Sequence, residues 1–198
     1  MNTPRNRPPN ANRNTGPGRV RIVGGRWRGT RLDVPDVAGL RPTSDRVRET
    51  LFNWLQPVLP GARVLDLFAG TGALGLEAVS RGAASALLVE RDAALAAALA
   101  ATAARLSGGD AVEVRRGDAV VMAAALPAGS VDIAFVDPPF AHDLWMPTLA
   151  ALAPALAADA WLYVESPSAS PAQPGPGWRL HRELGTREAH CALYRRAG

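Results

Sequence analysis

The chain has 198 residues, 47% of them apolar, which is enough for one domain with its own core and too little for two. A single cysteine, Cys191, excludes an intrachain disulfide framework and leads us to expect a reducing, cytoplasmic setting. The net charge of +4 is unevenly spread: residues 1–31 carry eight arginines and no acid, whereas from Thr50 onward eleven arginines face fourteen acids, and lysine is absent throughout. A basic arm on a mildly acidic body predicts a polyanionic partner.

Residues 1–18, rich in Asn, Pro, Gly and Arg, offer almost nothing to bury and are expected to be a disordered basic tail. Residues 19–198 are read as a single domain, with 19–58 an N-terminal hairpin and helix and 59–198 the core. Residues 19–34 suggest two short strands around Gly24-Gly25. Val47, Leu51, Trp54 and Val58 then fall at helical spacing, with Thr43 or Ser44 as N-cap and Pro57 near the stop.

From Ala62 strands and helices alternate. Strands are predicted at 63–68, 86–90, 112–116, 131–136 and 160–165. Helices are predicted at 73–81, after Asp92 with Leu95, Leu99, Thr102 and Leu106 on one stripe, at 119–126, and over Trp145, Leu149, Leu152 and Leu156, the last kinked or ended by Pro154. Two further strands near 178–184 and 189–195 have no helix between them and should pair antiparallel. The expectation is an α/β, doubly wound, mostly parallel seven-stranded sheet with an antiparallel last strand. The apolar stretch Leu144–Ala158 falls short of the roughly 20 residues a bilayer demands, and the N-terminus lacks the apolar core of a secretory signal, so a soluble, non-membrane monomer is expected.

The first of these strands runs into Asp66-Leu-Phe-Ala-Gly-Thr-Gly-Ala-Leu-Gly75, whose Gly70, Gly72 and Gly75 spell G-x-G-x-x-G, with Glu90 twenty residues after Gly70. This pattern also fits dinucleotide binding, so an NAD-dependent oxidoreductase is one reading. Asp66 argues for S-adenosylmethionine: a carboxylate beside the turn suits an amino group and a sulfonium, and repels a pyrophosphate. The helix start after Gly72 can hold the methionine carboxylate. Glu90 can accept from both ribose hydroxyls. Asp118 either accepts from the adenine amine or caps the following helix, and the two roles are compatible.

Asp137-Pro138-Pro139-Phe140 follows the apolar strand 131–136. Two prolines fix an extended backbone and donate no N–H, leaving carbonyls free to face the cleft. The Asp137 carboxylate and the Pro138 carbonyl could accept the two N–H groups of an exocyclic base amine, favouring a pyramidal nitrogen whose lone pair meets an electrophilic methyl. Either Asp137 takes the released proton or it leaves to water. Phe140 offers a face on which an unstacked base can rest.

Together with Arg41-Pro-Thr-Ser-Asp-Arg-Val-Arg-Glu-Thr-Leu-Phe-Asn53, the Gly24-Gly25-Arg-Trp-Arg-Gly29 hairpin and the Tyr163-Val-Glu165 strand, these motifs resemble the bacterial methyltransferases that modify guanine N2 in small-subunit (16S) ribosomal RNA. The similarity runs from about Arg21 to Tyr194 and does not include the tail. The resemblance implies a Rossmann-like class I methyltransferase fold and S-adenosylmethionine as donor. It also implies a guanine of 16S ribosomal RNA as acceptor, in the small subunit or its assembly intermediate. Residue by residue it implies Asp66, Phe68, Gly70, Gly72, Glu90 and Asp118 for the cofactor and Asp137, Pro138, Pro139 and Phe140 for catalysis.

Arg26, Arg28, Arg31, Arg41, Arg46 and Arg48 are the candidate RNA contacts, although Arg41 and Arg48 could equally form ion pairs with Asp45 or Glu49. His142, His181 and His190 have no ligand-like spacing with Cys191, so no metal site is expected, and Cys191 reads as core packing. Adenine N6 in DNA or RNA is the alternative acceptor, since D-P-P-F does not separate the two amines. A non-catalytic RNA-binding or assembly factor on the same fold is a third reading.

Overall fold

The computed structural model describes residues 20–32 and 43–197; the tail and Arg41 lie outside the described residues. The main sheet has seven strands: β3 (Arg63–Asp66), β4 (Ser85–Glu90), β5 (Val112–Arg116), β6 (Val131–Val136), β7 (Leu156–Pro167), β8 (Trp178–Gly185) and β9 (Ala189–Arg196). Their order across the sheet is β5-β4-β3-β6-β7-β9-β8. The first five are mutually parallel, and β9 runs antiparallel to both neighbours. The expected doubly wound sheet is present. The direction of winding reverses between β3 and β6, the place where such sheets open a ligand crevice at the carboxyl ends of their strands.

Two layers cover the sheet. On one face α1 (Asp45–Leu55), α2 (Ala73–Ser80) and α3 (Ala93–Arg105) bury Leu51, Phe52, Leu76, Val79 and Leu99 against Ile133, Phe135 and Tyr163. On the other, α4 (Ala119–Ala124) and α5 (Trp145–Leu152) pack Ala123, Leu149 and Leu152 on Leu65, Val136 and Leu162. Capping chemistry sets three helix starts: the side chains of Ser44, Asp92 and Asp118 accept from amides of the first turns of α1, α3 and α4. Pro154 ends α5 before Leu156, which opens β7 instead of extending the helical stripe.

The N-terminal segment departs from a simple hairpin. Only β1 (Val20–Arg21) and β2 (Arg31–Leu32) pair as strands. Between them Ile22 still pairs with Thr30 and Gly29, but the tip is tied to α2: the Arg26 amide donates to the Ser80 carbonyl (2.8 Å), the Trp27 amide to Ser80 Oγ (2.9 Å), and Ser80 Oγ to the Gly24 carbonyl (2.7 Å). Gly25 allows this approach, having φ +76° and a site where a Cβ would stand 2.0 Å from the Ser80 carbonyl oxygen.

Fully buried Glu77 anchors the segment. Its carboxylate accepts from the Val23 amide (3.1 Å), from Arg48 (3.2 Å) and from Arg81 (2.9 and 2.7 Å). Arg48 is 0% exposed and also bonds Asp45 at 2.6 Å, so it faces the interior and not a phosphate. This corrects its expected place among the RNA contacts: the helical stripe turns it inward, where a charge persists only if paired. Replacing one member of a buried ion network leaves the others uncompensated, so Glu77→Gln should cost about 3–5 kcal/mol. Urea unfolding should show a lower midpoint with an unchanged slope.

Candidate functional site

Four neighbouring strands in the order β4, β3, β6, β7 carry a carboxylate at or near their carboxyl ends: Glu90 and Asp66 as last residues, Asp137 directly after β6, and Glu165 within the last three residues of β7. The row therefore straddles the reversal point between β3 and β6. Three of its members were expected from the sequence. Glu165 was not singled out, although the signal was present, since it closes the fifth apolar strand in the position the other acids occupy on theirs.

Asp66 is 1% exposed. Its Oδ2 accepts from the Gly75 amide at 3.0 Å, tying the strand end to α2, while Oδ1 has no hydrogen-bond partner. Gly75 permits this close approach, since a Cβ there would stand 2.6 Å from Leu88 Cδ1 and 3.3 Å from Asp66 Cβ and force Leu88 to shift. Glu90 splices the loops on either side of its strand: Oε2 accepts from the Gly70 amide and Oε1 from the Asp92 amide, both at 2.8 Å. Gly72 immediately precedes α2, and Phe68 is half-buried against the core. Gly70 and Thr71 line a cavity with Leu95, Ala98, Leu99 and Thr102. At the same sheet edge, exposed Asp118 caps α4 through its contacts with the Val120 and Val121 amides (2.9 and 3.2 Å).

Asp137 presents an enclosed Oδ1 with no hydrogen-bond partner. Pro138 is buried and Pro139 exposed, and the Pro139 carbonyl closes a turn by accepting from the His142 amide at 3.0 Å. Phe140 is 39% exposed, with its ring 6.0 Å from that of Trp145. Trp145 Nε1 donates to the Glu165 carbonyl at 2.8 Å, linking the start of α5 to β7.

The row is electrostatically costly on its own. Burial, opposed by the Gly75 and Phe68 amides and aided by Glu90, pushes the Asp66 carboxyl up to about 7. Burial, followed by the charges of Asp66, Glu165 and Glu90, raises Asp137 well above the ordinary carboxylate range. Among the described residues no three acids, histidines or cysteines converge as metal ligands. An anion over this edge would meet repulsion, whereas a ligand bearing positive charge and N–H donors would relieve it.

The remaining candidates sit around this edge at different distances. Arg46 is exposed on the first turn of α1, whose leading Thr43 reaches Glu165 (3.2 Å). Arg31 is exposed on β2. Arg26 and Arg28 are exposed beyond Ser80, at the end of α2 opposite Gly72, an eight-residue helix that rises about 12 Å. Arg26 lies 4.6 Å over the Trp27 ring and donates to the Gly108 carbonyl. His181 packs edge-on against Trp161, His190 pairs with Glu183 at 3.0 Å, and His142 is exposed. Cys191 is buried, and burial followed by the Glu165 charge pushes its thiol up to about 12. No helix among the described residues is long and apolar enough to cross a membrane.

Residues 20–195 match the family model described as Conserved hypothetical protein 95. The chain is 47% identical over 187 residues to ribosomal RNA small subunit methyltransferase D of Escherichia coli strain K12, covering 92% of each. The Haemophilus influenzae protein of the same name is 36% identical over 181 residues, covering 89% of this chain and 94% of that one. Among solved structures, yhhF of Escherichia coli is similar with a TM-score of 0.81 at 45% identity, over 91% of this chain and 99% of that one.

The raised carboxyls give a stability signature. Between about pH 4 and about pH 7 Asp66 keeps a proton in the folded chain that the unfolded chain has lost, and Asp137, raised in the same direction, adds to this, so the contribution is complete at low pH and fades as pH rises. The ligand-free melting temperature should fall from about pH 5 to about pH 8, and fall less in Asp137→Asn. A scan across buffers checks this, and identical slopes in the two proteins would contradict it.

Proposed function

We propose that this chain, which belongs to the Conserved hypothetical protein 95 family, transfers a methyl group from S-adenosylmethionine to the exocyclic N2 of a guanine in small-subunit ribosomal RNA. The observation that carries the proposal is the acidic row at the reversal point, with unpartnered Asp66 and Asp137 oxygens, in a chain so similar to small-subunit ribosomal RNA methyltransferases D. The NAD reading is disfavoured by the same row, because a pyrophosphate would sit among carboxylates.

The residues present fit the donor. Its methionine amino group and sulfonium are cationic, and Asp66 supplies a buried acceptor with an unused oxygen. The glycine turn from Gly70 to Gly72, opening on α2, offers amides for the methionine carboxylate. Glu90 would accept from the ribose hydroxyls, and Asp118 from the adenine amine, while each keeps its loop or helix in place. When bound, the donor supplies an electrophilic methyl on sulfur.

The chain's own contribution to transfer is acceptance and placement. Asp137 and the Pro138 carbonyl, which accepts no hydrogen bond among the described residues, take the two N–H groups of the base amine and turn its lone pair toward the methyl. Positive charge developing on that nitrogen is stabilised by the same two acceptors in an enclosed setting. Burial and its acidic neighbours make Asp137 more basic than a solvated carboxylate, suiting it to hold the released proton. Phe140 supports the unstacked base, and exposed Arg31, Arg46, Arg26 and Arg28 are the candidate contacts for the phosphates of the RNA.

Incubation of small-subunit particles with tritiated donor, followed by nucleoside digestion, should yield N2-methylguanosine; N6-methyladenosine would instead support the alternative acceptor. S-adenosylhomocysteine should raise the melting temperature and NAD should leave it unchanged. Asp137→Ala should reduce methyl transfer by roughly 100- to 1,000-fold while the S-adenosylhomocysteine shift persists. Glu90→Ala should chiefly weaken donor binding, seen in calorimetry as a higher Kd.

A further inference from the structure

Glu165 is the member of the acidic row to which methyl transfer alone gives no task. The pairing of Val136 with Val164 places Asp137, directly after β6, beside Glu165, near the carboxyl end of the neighbouring parallel strand β7, on the same face of the sheet. That face is the one carrying Phe135, Tyr163 and α1, and Asp137 feels the Glu165 charge directly. Glu165 is also held at three points. Its Oε2 accepts from the Tyr163 hydroxyl (2.9 Å) and the Thr43 hydroxyl (3.2 Å), and its backbone carbonyl accepts from Trp145 Nε1 (2.8 Å). Trp145 in turn contacts the Phe140 ring. A carboxylate so fixed is an oriented acceptor beside the catalytic one.

An acceptor in that place is selective among the bases. In guanine the 2-amine is flanked by N1–H, a donor. In adenine the 6-amine is flanked by the N1 lone pair and, across the ring junction, by N7. In cytosine the 4-amine is flanked by the N3 lone pair and a C–H. Guanine alone presents a second N–H adjacent to the amine, and only guanine can satisfy a carboxyl oxygen acceptor standing next to Asp137. The other amines would direct a lone pair at it, leaving both groups unpaired at a cost.

We propose that Glu165 is the base-reading residue of this site: it accepts the N1–H of the target guanine while Asp137 and Pro138 engage the 2-amine, so that guanine is selected over adenine. Thr43 and Tyr163 are the positioning residues that aim it. The inference rests on the guanine-N2 reading above and adds to it the group that enforces the choice. A purely structural Glu165, fastening the start of α1 to the sheet, would be indifferent to what hydrogen stands on N1.

The test compares small-subunit particles reconstituted with RNA carrying either guanosine or the riboside of 2-aminopurine at the methylated position, once nucleoside mapping has located it. 2-Aminopurine keeps the 2-amine but has a lone pair at N1. With wild-type protein, transfer from tritiated donor should favour guanosine in kcat/KM by roughly 10- to 100-fold. In Glu165→Gln, whose amide can donate to that lone pair, the preference should collapse by tenfold or more, with 2-aminopurine transfer retained as proof of folding. An equal loss on both substrates, or a wild-type protein that does not distinguish them, would overturn the proposal. Wild-type transfer to adenine in place of guanine would instead overturn the reading on which it rests.

Discussion

Carboxylates crowded on the ends of neighbouring strands repel one another, and a protein interior makes that repulsion expensive. Glu90, Asp66, Asp137 and Glu165 occupy four adjacent strand ends, and Asp66 and Asp137 keep oxygens with no hydrogen-bond partner. Core packing gives no reason to place them there, since apolar side chains would fill the same space without the electrostatic cost. The arrangement makes sense for ligands that bring positive charge and N–H donors: a sulfonium with an ammonium on one side, a base amine on the other. In the function proposed above, that cost would be returned as affinity and as stabilisation of a developing cation.

The same row also performs structural work that keeps its geometry. Asp66 holds the start of α2 through Gly75, Glu90 draws the loops after β3 and β4 together, and Asp118 caps α4. Each carboxylate proposed for the donor is thus fixed by backbone amides before any ligand arrives. Such pre-organisation lowers the ordering cost of binding. It also explains how exposed Asp118 can be both a helix cap and a ligand contact, since one side chain has two oxygens.

A second buried network, centred on Glu77, decides where the N-terminal arginines go. By taking Arg48, Arg81 and the Val23 amide, it clamps residues 20–32 along α2. Exposed Arg46 then lies on the first turn of α1, whose Thr43 reaches Glu165, and exposed Arg26 and Arg28 lie by Ser80 at the far end of α2. Such exposed arginines fit the proposed RNA substrate, for which salt-dependent phosphate contacts would set register while the cleft reads one base.

The sequence by itself determined the elements and much of the site. Alternating strands and helices were legible because apolar periodicity reports which face of each element is buried. Asp92 and Asp118 were legible as caps because capping is local chemistry, and Asp66, the glycine turn, Glu90 and Asp137 because each closes an apolar strand. Tertiary structure alone decided the rest, since periodicity names a buried face without naming its partner. Arg48 looks the same in sequence whether it meets a phosphate or Glu77, and only the packing of α1 on α2 turned it inward. Gly24-Gly25 read as a hairpin tip until Ser80 claimed the surrounding backbone. Glu165 became a neighbour of Asp137 through the order β3-β6-β7, a relation between strands that no spacing along the chain encodes.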